Sequence, residues 1–446
     1  MRRKFLKYVI PSVIAMWIYS LYTMANGIFV AKGVNEIALA ALSICMPYVN
    51  ATFAIAVLFA VGTSTIASIN LGNKETKKAN EVFSMNAIIL LLIGITASSA
   101  VLLNLENIAY FLGATSKTIV YVKDYLGILS VFSVFAVLTY YFEVLVKTDG
   151  HPQLATLGVG ISAVTNVFLV YLFVIKMNVG IKGAAYATGI SYVASTIFYV
   201  VHFIKGGSTL KFVPFKFDFT VVKRTIPLGI SDFVTEFSSG FITFMFNRTI
   251  LKNIGEIGII TYTVIVYLNS FVTMTMSGIS QGTQPLVSYY YGKDDKKTYS
   301  YFLKTAVKTV AAVSLVIYAA TTIFAEQIAG IFISSGEVQI FDYSVKALRM
   351  YVPAYLLVGF NIVFVGFYAS IEKPMYSMAI STGRGILVIT ASLTVMASAI
   401  GANGIWMASF VSEAICLIMA TIIFVKFYYD DLFTGIFEKN PLSDYD

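Results

Sequence analysis

GTSTIASINLGNKETKK fills residues 62–78 and GTQPLVSYYYGKDDKK fills residues 282–297. The two stretches align at a constant offset of about 220 residues, with Gly62 over Gly282, Thr63 over Thr283, Ser68 over Ser288, Gly72 over Gly292 and Lys77 over Lys297. Outward from them, Glu36 and Ile37 face Glu256 and Ile257. At a similar offset Gly183, Ala187 and Ser191 face Gly404, Ala408 and Ser412. Pro11 and Pro227 read as opening the first helix of each half, and Pro152 and Pro374 follow the fourth and tenth helices. Self-similarity at a fixed period over so much of the chain marks a duplication.

Each copy is a series of apolar runs long enough to cross a bilayer core of about 30 Å, which takes roughly 20 helical residues. The first half predicts helices over 8–30, 44–71, 83–105, 125–147, 154–175 and 183–204. The second predicts 225–251, 257–291, 303–324, 348–371, 376–399 and 405–427. The second and eighth are longer than a span requires, which tilt or protrusion absorbs. The expectation is an all-α integral membrane protein: twelve transmembrane helices in two six-helix lobes. An even number of spans per repeat keeps both halves in the same orientation, related by a pseudo-two-fold axis along the membrane normal. The amino-terminal lobe is 1–204, the linker 205–224, the carboxy-terminal lobe 225–428 and a tail 429–446.

Composition agrees. The 446 residues are 58% hydrophobic and 12% charged, a balance that would leave a water-soluble globule with very large apolar patches. The net charge of +8 does not point to nucleic acid, because Lys and Arg cluster in short connections between apolar runs. Arg2, Arg3, Lys4 and Lys7 precede the first helix, Lys74, Lys77 and Lys78 follow the second, and Lys205, Lys211, Lys216, Lys223 and Arg224 fill the central connection. These place both termini in the cytoplasm of a multi-pass cell-membrane protein. The first apolar run is too long for a cleavable signal peptide. Cys45 and Cys416 lie in apolar runs and suggest no disulfide or thiolate site. His151 and His202 are too few and too far apart in sequence to suggest a metal centre.

Several stretches resemble the multidrug and toxic compound extrusion (MATE) family, in its bacterial multidrug-efflux branch. They are PSVIAMWIYSLYTMANGIFVAKGV (11–34), KTDGHP (147–152), GIKGAAYATGIS (180–191), GTQPLVSYYYG (282–292), STGRG (381–385) and GANGIWMASFVSE (401–413). The resemblance implies a V-shaped pair of lobes, working as a monomer. Such a protein exports lipophilic organic cations by alternating access of a central cleft, in exchange for H+ or Na+, with no cofactor.

Acids inside apolar helices usually face a cavity or a partner. If the seventh helix enters the membrane at Thr225, Glu236 lies about 16 Å deep and Asp232 one turn shallower on the same face. Repulsion between two such carboxylates, and their desolvation, would keep one protonated, as a proton carrier requires. The resemblance supports Glu236, since proton-coupled members carry a glutamate at this distance from the proline. Glu413 and Arg384 come out at similar depth on neighbouring helices and read as a structural pair or a coupling pair. Glu143 and Lys147, at i and i+4 near the cytoplasmic end of the fourth helix, read as mainly structural. The amino-terminal lobe departs from the family. Many members have an acid where this chain has Asn26, and some have a second acid where Val170 follows Asn166; Asn166 and Thr188 are retained. Amides cannot carry a proton at physiological pH, though their oxygens could ligate Na+, so coupling is expected around Glu236.

The chain has 35 Phe, 29 Tyr and 15 Met, side chains suited to flat cations, yet composition alone favours ordinary lipid-facing and interfacial roles for them. A lipid-linked oligosaccharide flippase of the same broader superfamily is the alternative. It should carry several basic residues deep in its cleft, where this chain offers only Arg384. No HExxH, P-loop or GxSxG is present, so the chain reads as a transporter and not an enzyme.

Overall fold

The computed structural model describes residues 1–333 and 338–427; the expected tail, 429–446, lies outside the described residues. The described residues form helices joined by short turns, apart from the longer connection 205–218. Twelve helical segments carry the fold: α1 Arg2–Gly33, α2 Glu36–Gly72, α3 Thr76–Leu103, α4 Ile119–Thr148, α5 Pro152–Val170, α6 Ile181–Ile204, α7 Phe219–Asn253, α8 Glu256–Gly292, α9 Lys296–Ile323, α10 Val338–Tyr351 continuing into Tyr355–Ser370, α11 Pro374–Thr382 continuing into Val388–Ile400, and α12 Ala402–Phe424. Eleven spans among the described residues are long and apolar enough to cross a membrane. The remaining helix, α7, is more polar, because Asp232, Glu236 and the Ser and Thr residues between Ser231 and Thr243 interrupt its apolar run. Large side chains such as Leu21, Leu103, Val164 and Ile204 are exposed, as lipid-facing residues are.

The repeat is visible in the backbone. Helices α2 and α8 are each 37 residues long and α3 and α9 each 28, so the duplication extends to element length. A short helix follows each of α3 and α9, at Leu105–Phe111 and Ala325–Phe332. Lys74 and Asp294 both turn through positive φ at the ends of α2 and α8. Gly180 (φ +71°) and Gly401 (φ +62°) lead into α6 and α12 in the same left-handed conformation, which a Cβ would disfavour. Pro152 and Pro374 sit at the start of α5 and α11, where a missing N–H costs nothing.

Pro11 and Pro227 do not open their helices. Both lie inside helices that begin earlier, at Arg2 and Phe219. The basic segments before the apolar runs coil as well, and each proline then removes one ladder hydrogen bond in mid-helix.

The chain packs as two compact units. One is Ile10–Phe233; the other joins Met1–Val9 to the chain from Val234 onward. Both divisions fall inside a helix, α1 and α7, close to those two prolines. Within the first unit the start of α7 packs on α2: a Cβ on Gly62 would stand 2.2 Å from the Thr225 carbonyl oxygen. Within the second, the start of α1 packs on α8 through the repeat-related Gly282, where a Cβ would stand 2.7 Å from the α-carbon of Val9. Only glycine admits backbones this close. The first unit has an aromatic core in which Phe83 packs on Tyr141, Phe142 and Phe203, and Tyr141 donates to the Phe83 carbonyl at 2.7 Å. The connection 205–218 has no regular structure and is held by side chains: Asn80 accepts from the Lys211 N–H and Ser84 from the Val213 N–H.

Candidate functional site

A cavity lies inside the Ile10–Phe233 unit, with about 690 Å³ of empty space including its open mouth. Five tyrosines and a phenylalanine wall it: Tyr19 and Tyr22 from α1, Tyr48 and Phe53 from α2, Tyr140 from α4 and Tyr192 from α6. The rings brace one another, Tyr19 edge-on to Tyr22 at 5.1 Å and Phe53 edge-on to Tyr140 at 4.7 Å. Glu143 also lines this cavity. It is buried, and its carboxylate accepts from Lys147 Nζ at 2.8 Å. Aromatic rings attract a cation through their quadrupoles, and Glu143 turns the negative end of its ion pair with Lys147 toward the same cavity. Sequence reasoning missed the tyrosines and read Glu143 by its partner alone. The available signal was the shared face of Tyr140, Glu143 and Lys147 at i, i+3 and i+7 on α4.

Asn26, Asn166 and Thr188, brought from α1, α5 and α6, meet in the same unit. The Thr188 hydroxyl accepts from Asn26 Nδ2 at 3.3 Å and from Asn166 Nδ2 at 3.1 Å, and donates to the Ala184 carbonyl at 3.0 Å. Both amide oxygens, Asn26 Oδ1 and Asn166 Oδ1, are buried with no hydrogen-bond partner among the described residues. Two orphaned neutral oxygens beside a hydroxyl and a carbonyl are a donor set for a small hard cation, and contain nothing that titrates. Val170, in the position of the family's second acid, is fully buried.

In the second unit Arg384 and Glu413 pair closely. Arg384 Nε donates to both carboxylate oxygens at 2.9 Å, and a terminal nitrogen reaches Oε1 at 2.9 Å. Asn361 Nδ2 on α10 donates to Glu413 Oε2 at 2.7 Å and to the Glu413 carbonyl at 2.9 Å. Arg384 sits in a π-helical turn, Gly383–Leu387, that interrupts α11; such widened turns accommodate a side chain that a regular helix would misdirect. Asp232 and Glu236 occupy successive turns of α7 and are half-buried. The boundary of the two units falls between them.

His151 and His202, distant in sequence, are brought together at Asp149. The turn after α4 and the end of α6 are neighbours in the fold, so the two rings meet despite their separation along the chain.

A family model, MatE, matches residues 11–172 and 227–396. The multidrug export protein MepA of Staphylococcus saprophyticus is 23% identical over 419 residues, covering 93% of this chain and 91% of the relative. MepA of Staphylococcus haemolyticus is 24% identical with the same coverage. Among solved structures, the outward-facing conformation of a multidrug resistance MATE family transporter of the MOP superfamily aligns with TM-score 0.89 at 20% identity over 94% of each chain. A MOP superfamily transporter from Pyrococcus furiosus, whose binding pocket of reverse polarity is described as suggesting a different function, aligns with TM-score 0.88 at 21% identity over 94% of each. With both repeats matched by the family model and the same fold in these transporters, the resemblance in the motifs is one of descent: this multi-pass membrane chain belongs to the MatE family.

Proposed function

We propose that the chain is a secondary active exporter of lipophilic organic cations, exchanging them for H+ or Na+ by alternating access. The observation that carries this reading is the placement of Glu143 in the wall of the tyrosine-lined cavity. Aromatic rings, with the negative end of the neutral Glu143–Lys147 pair at the wall, favour positive charge and apolar bulk while leaving shape loosely specified. The names of the staphylococcal relatives support multidrug export, and the family supports transport over catalysis. The basic residues also weigh against a pyrophosphate-binding flippase, since Lys147 and Arg384 are each neutralised by a carboxylate.

Two ion routes are open to such an exchanger. Glu236 is the candidate proton carrier, as a half-buried acid in α7. The Asn26, Asn166 and Thr188 cluster is the candidate Na+ site, because its unsatisfied oxygens are neutral.

Everted vesicles loaded with a fluorescent lipophilic cation test the reading when a pH gradient and a Na+ gradient are applied separately. Transport driven by pH and abolished by Glu236→Gln identifies the proton route. Transport driven by Na+ and abolished by Asn166→Leu identifies the other. If neither gradient moves the cation in vesicles that contain folded protein, the proposal fails.

A further inference from the structure

The cluster around Asp149 lies outside the transport site and has the composition of a metal centre. Asp149, in the turn between α4 and α5, has a fully buried carboxylate whose two oxygens do different work. Oδ1 accepts the backbone N–H groups of Thr209 at 2.7 Å and Leu210 at 2.8 Å. Oδ2 faces two imidazoles, His151 Nδ1 at 3.1 Å and His202 Nε2 at 2.8 Å. The two rings pack edge to face with centroids 4.9 Å apart, so each restrains the other.

We infer that Asp149 Oδ2, His151 Nδ1 and His202 Nε2 form a site for a borderline divalent transition metal of the zinc class. Two imidazole nitrogens and one carboxylate oxygen are a donor set for such an ion. The three ligand atoms all lie within 4.8 Å of one another, and tetrahedral zinc needs its ligands about 3.4 Å apart, a spacing reached by small rotations of the rings. The outer shell is already built: the two N–H groups on Oδ1 fix the carboxylate plane and leave the other oxygen for the ion, as second-shell donors do in metal sites. His151 is 41% exposed, which leaves a side open for entry and for a water ligand. The ion would pin three segments together: the α4–α5 turn, the last turn of α6 and the irregular connection at 209–210. Its role is that of a clamp on the connection between the repeats, and it does not depend on the transport reading.

The test uses full-length chain purified in detergent with any affinity tag removed. Zn2+ is titrated calorimetrically, and Co2+ is followed by visible absorption as a reporter of geometry. The expected result is one saturable site per chain with a tetrahedral Co2+ spectrum. His151→Gln and His202→Gln, which keep a hydrogen-bonding group, should each weaken binding by on the order of tenfold or more. Zn2+ should raise the melting temperature of the parent chain and leave that of both variants unchanged. No saturable binding by the folded parent chain, or binding by either variant as tight as the parent's, would overturn the inference and leave only a hydrogen-bonded triad.

Discussion

Lys147 Nζ donates to Glu143 across 2.8 Å at a place where neither side chain exposes more than 4% of its surface. Removing one partner strands a charge in a dry interior, whereas removing both does not. Lys147→Met should therefore destabilise the chain by about 3–5 kcal/mol, and Glu143→Gln combined with Lys147→Met should recover most of that loss. The double variant should still bind a fluorescent lipophilic cation less tightly, because the pocket has lost its carboxylate. Melting curves in detergent alongside binding titrations separate the two effects; unchanged cation affinity in the stable double variant would remove Glu143 from the binding site.

The Arg384, Glu413 and Asn361 cluster ties α10, α11 and α12 together through charge-assisted hydrogen bonds. Glu413→Gln leaves Arg384 buried without a counter-charge and should lower stability by about 3–5 kcal/mol. An Arg384→Met and Glu413→Leu pair should regain stability, and if the pair is structural the double variant keeps exporting. Stable but inactive protein would instead give the pair a part in coupling.

Gly62→Ala would place a methyl group 2.2 Å from the Thr225 carbonyl oxygen, and the neighbour is backbone that cannot rotate away. The expected cost is about 1–3 kcal/mol, as for other overpacked contacts. Gly282→Ala should behave alike, because the repeat reproduces the contact at Val9. Gly160 has nothing within 4 Å of the corresponding position, so Gly160→Ala should be neutral or stabilising by up to about 1 kcal/mol. Comparing melting temperatures of the three variants checks the assignment, and an unaffected Gly62→Ala would contradict it.

Asn26→Asp installs a titratable group next to Asn166 and Thr188, where the Thr188 hydroxyl is already donated to Ala184. The new carboxyl can take up and release a proton, which the amide cannot. Efflux that becomes steeper with an imposed pH gradient is the expected outcome; an unaltered response would show that this cluster is not on an ion route.

Asp218 stands outside the membrane-spanning helices and accepts from the Thr220 hydroxyl and N–H at the start of α7. Those hydrogen bonds hold its carboxyl below the usual aspartate value. Its contribution is therefore present above the ordinary aspartate pKa and is lost as pH falls through the lowered folded value. Asp218→Ala should melt slightly below the parent chain at neutral pH, and the gap should close in strong acid.

Periodicity and composition were sufficient for the helices, the recurring strings for the duplication, and the resemblance of six motifs for the family. These depend on local features: runs of apolar residues one bilayer long, prolines at two helix starts, and residues that recur at a fixed spacing. The same local information misplaced Pro11 and Pro227, because hydropathy marks where an apolar run begins and not where the backbone begins to coil. It suggested pairs that share a helix, such as Glu143 with Lys147, and a pair matched by depth, Glu413 with Arg384.

The tyrosine-walled cavity could not be read the same way. Its rings come from four helices, and an aromatic residue facing lipid has the same one-letter code as one facing a pocket. The meeting of His151 and His202 at Asp149 had no local signature either. Helix formation is set by neighbours within a few residues, so the sequence determines it directly. Which faces meet is set by packing among segments far apart in the chain, and that was decided only when the helices were assembled.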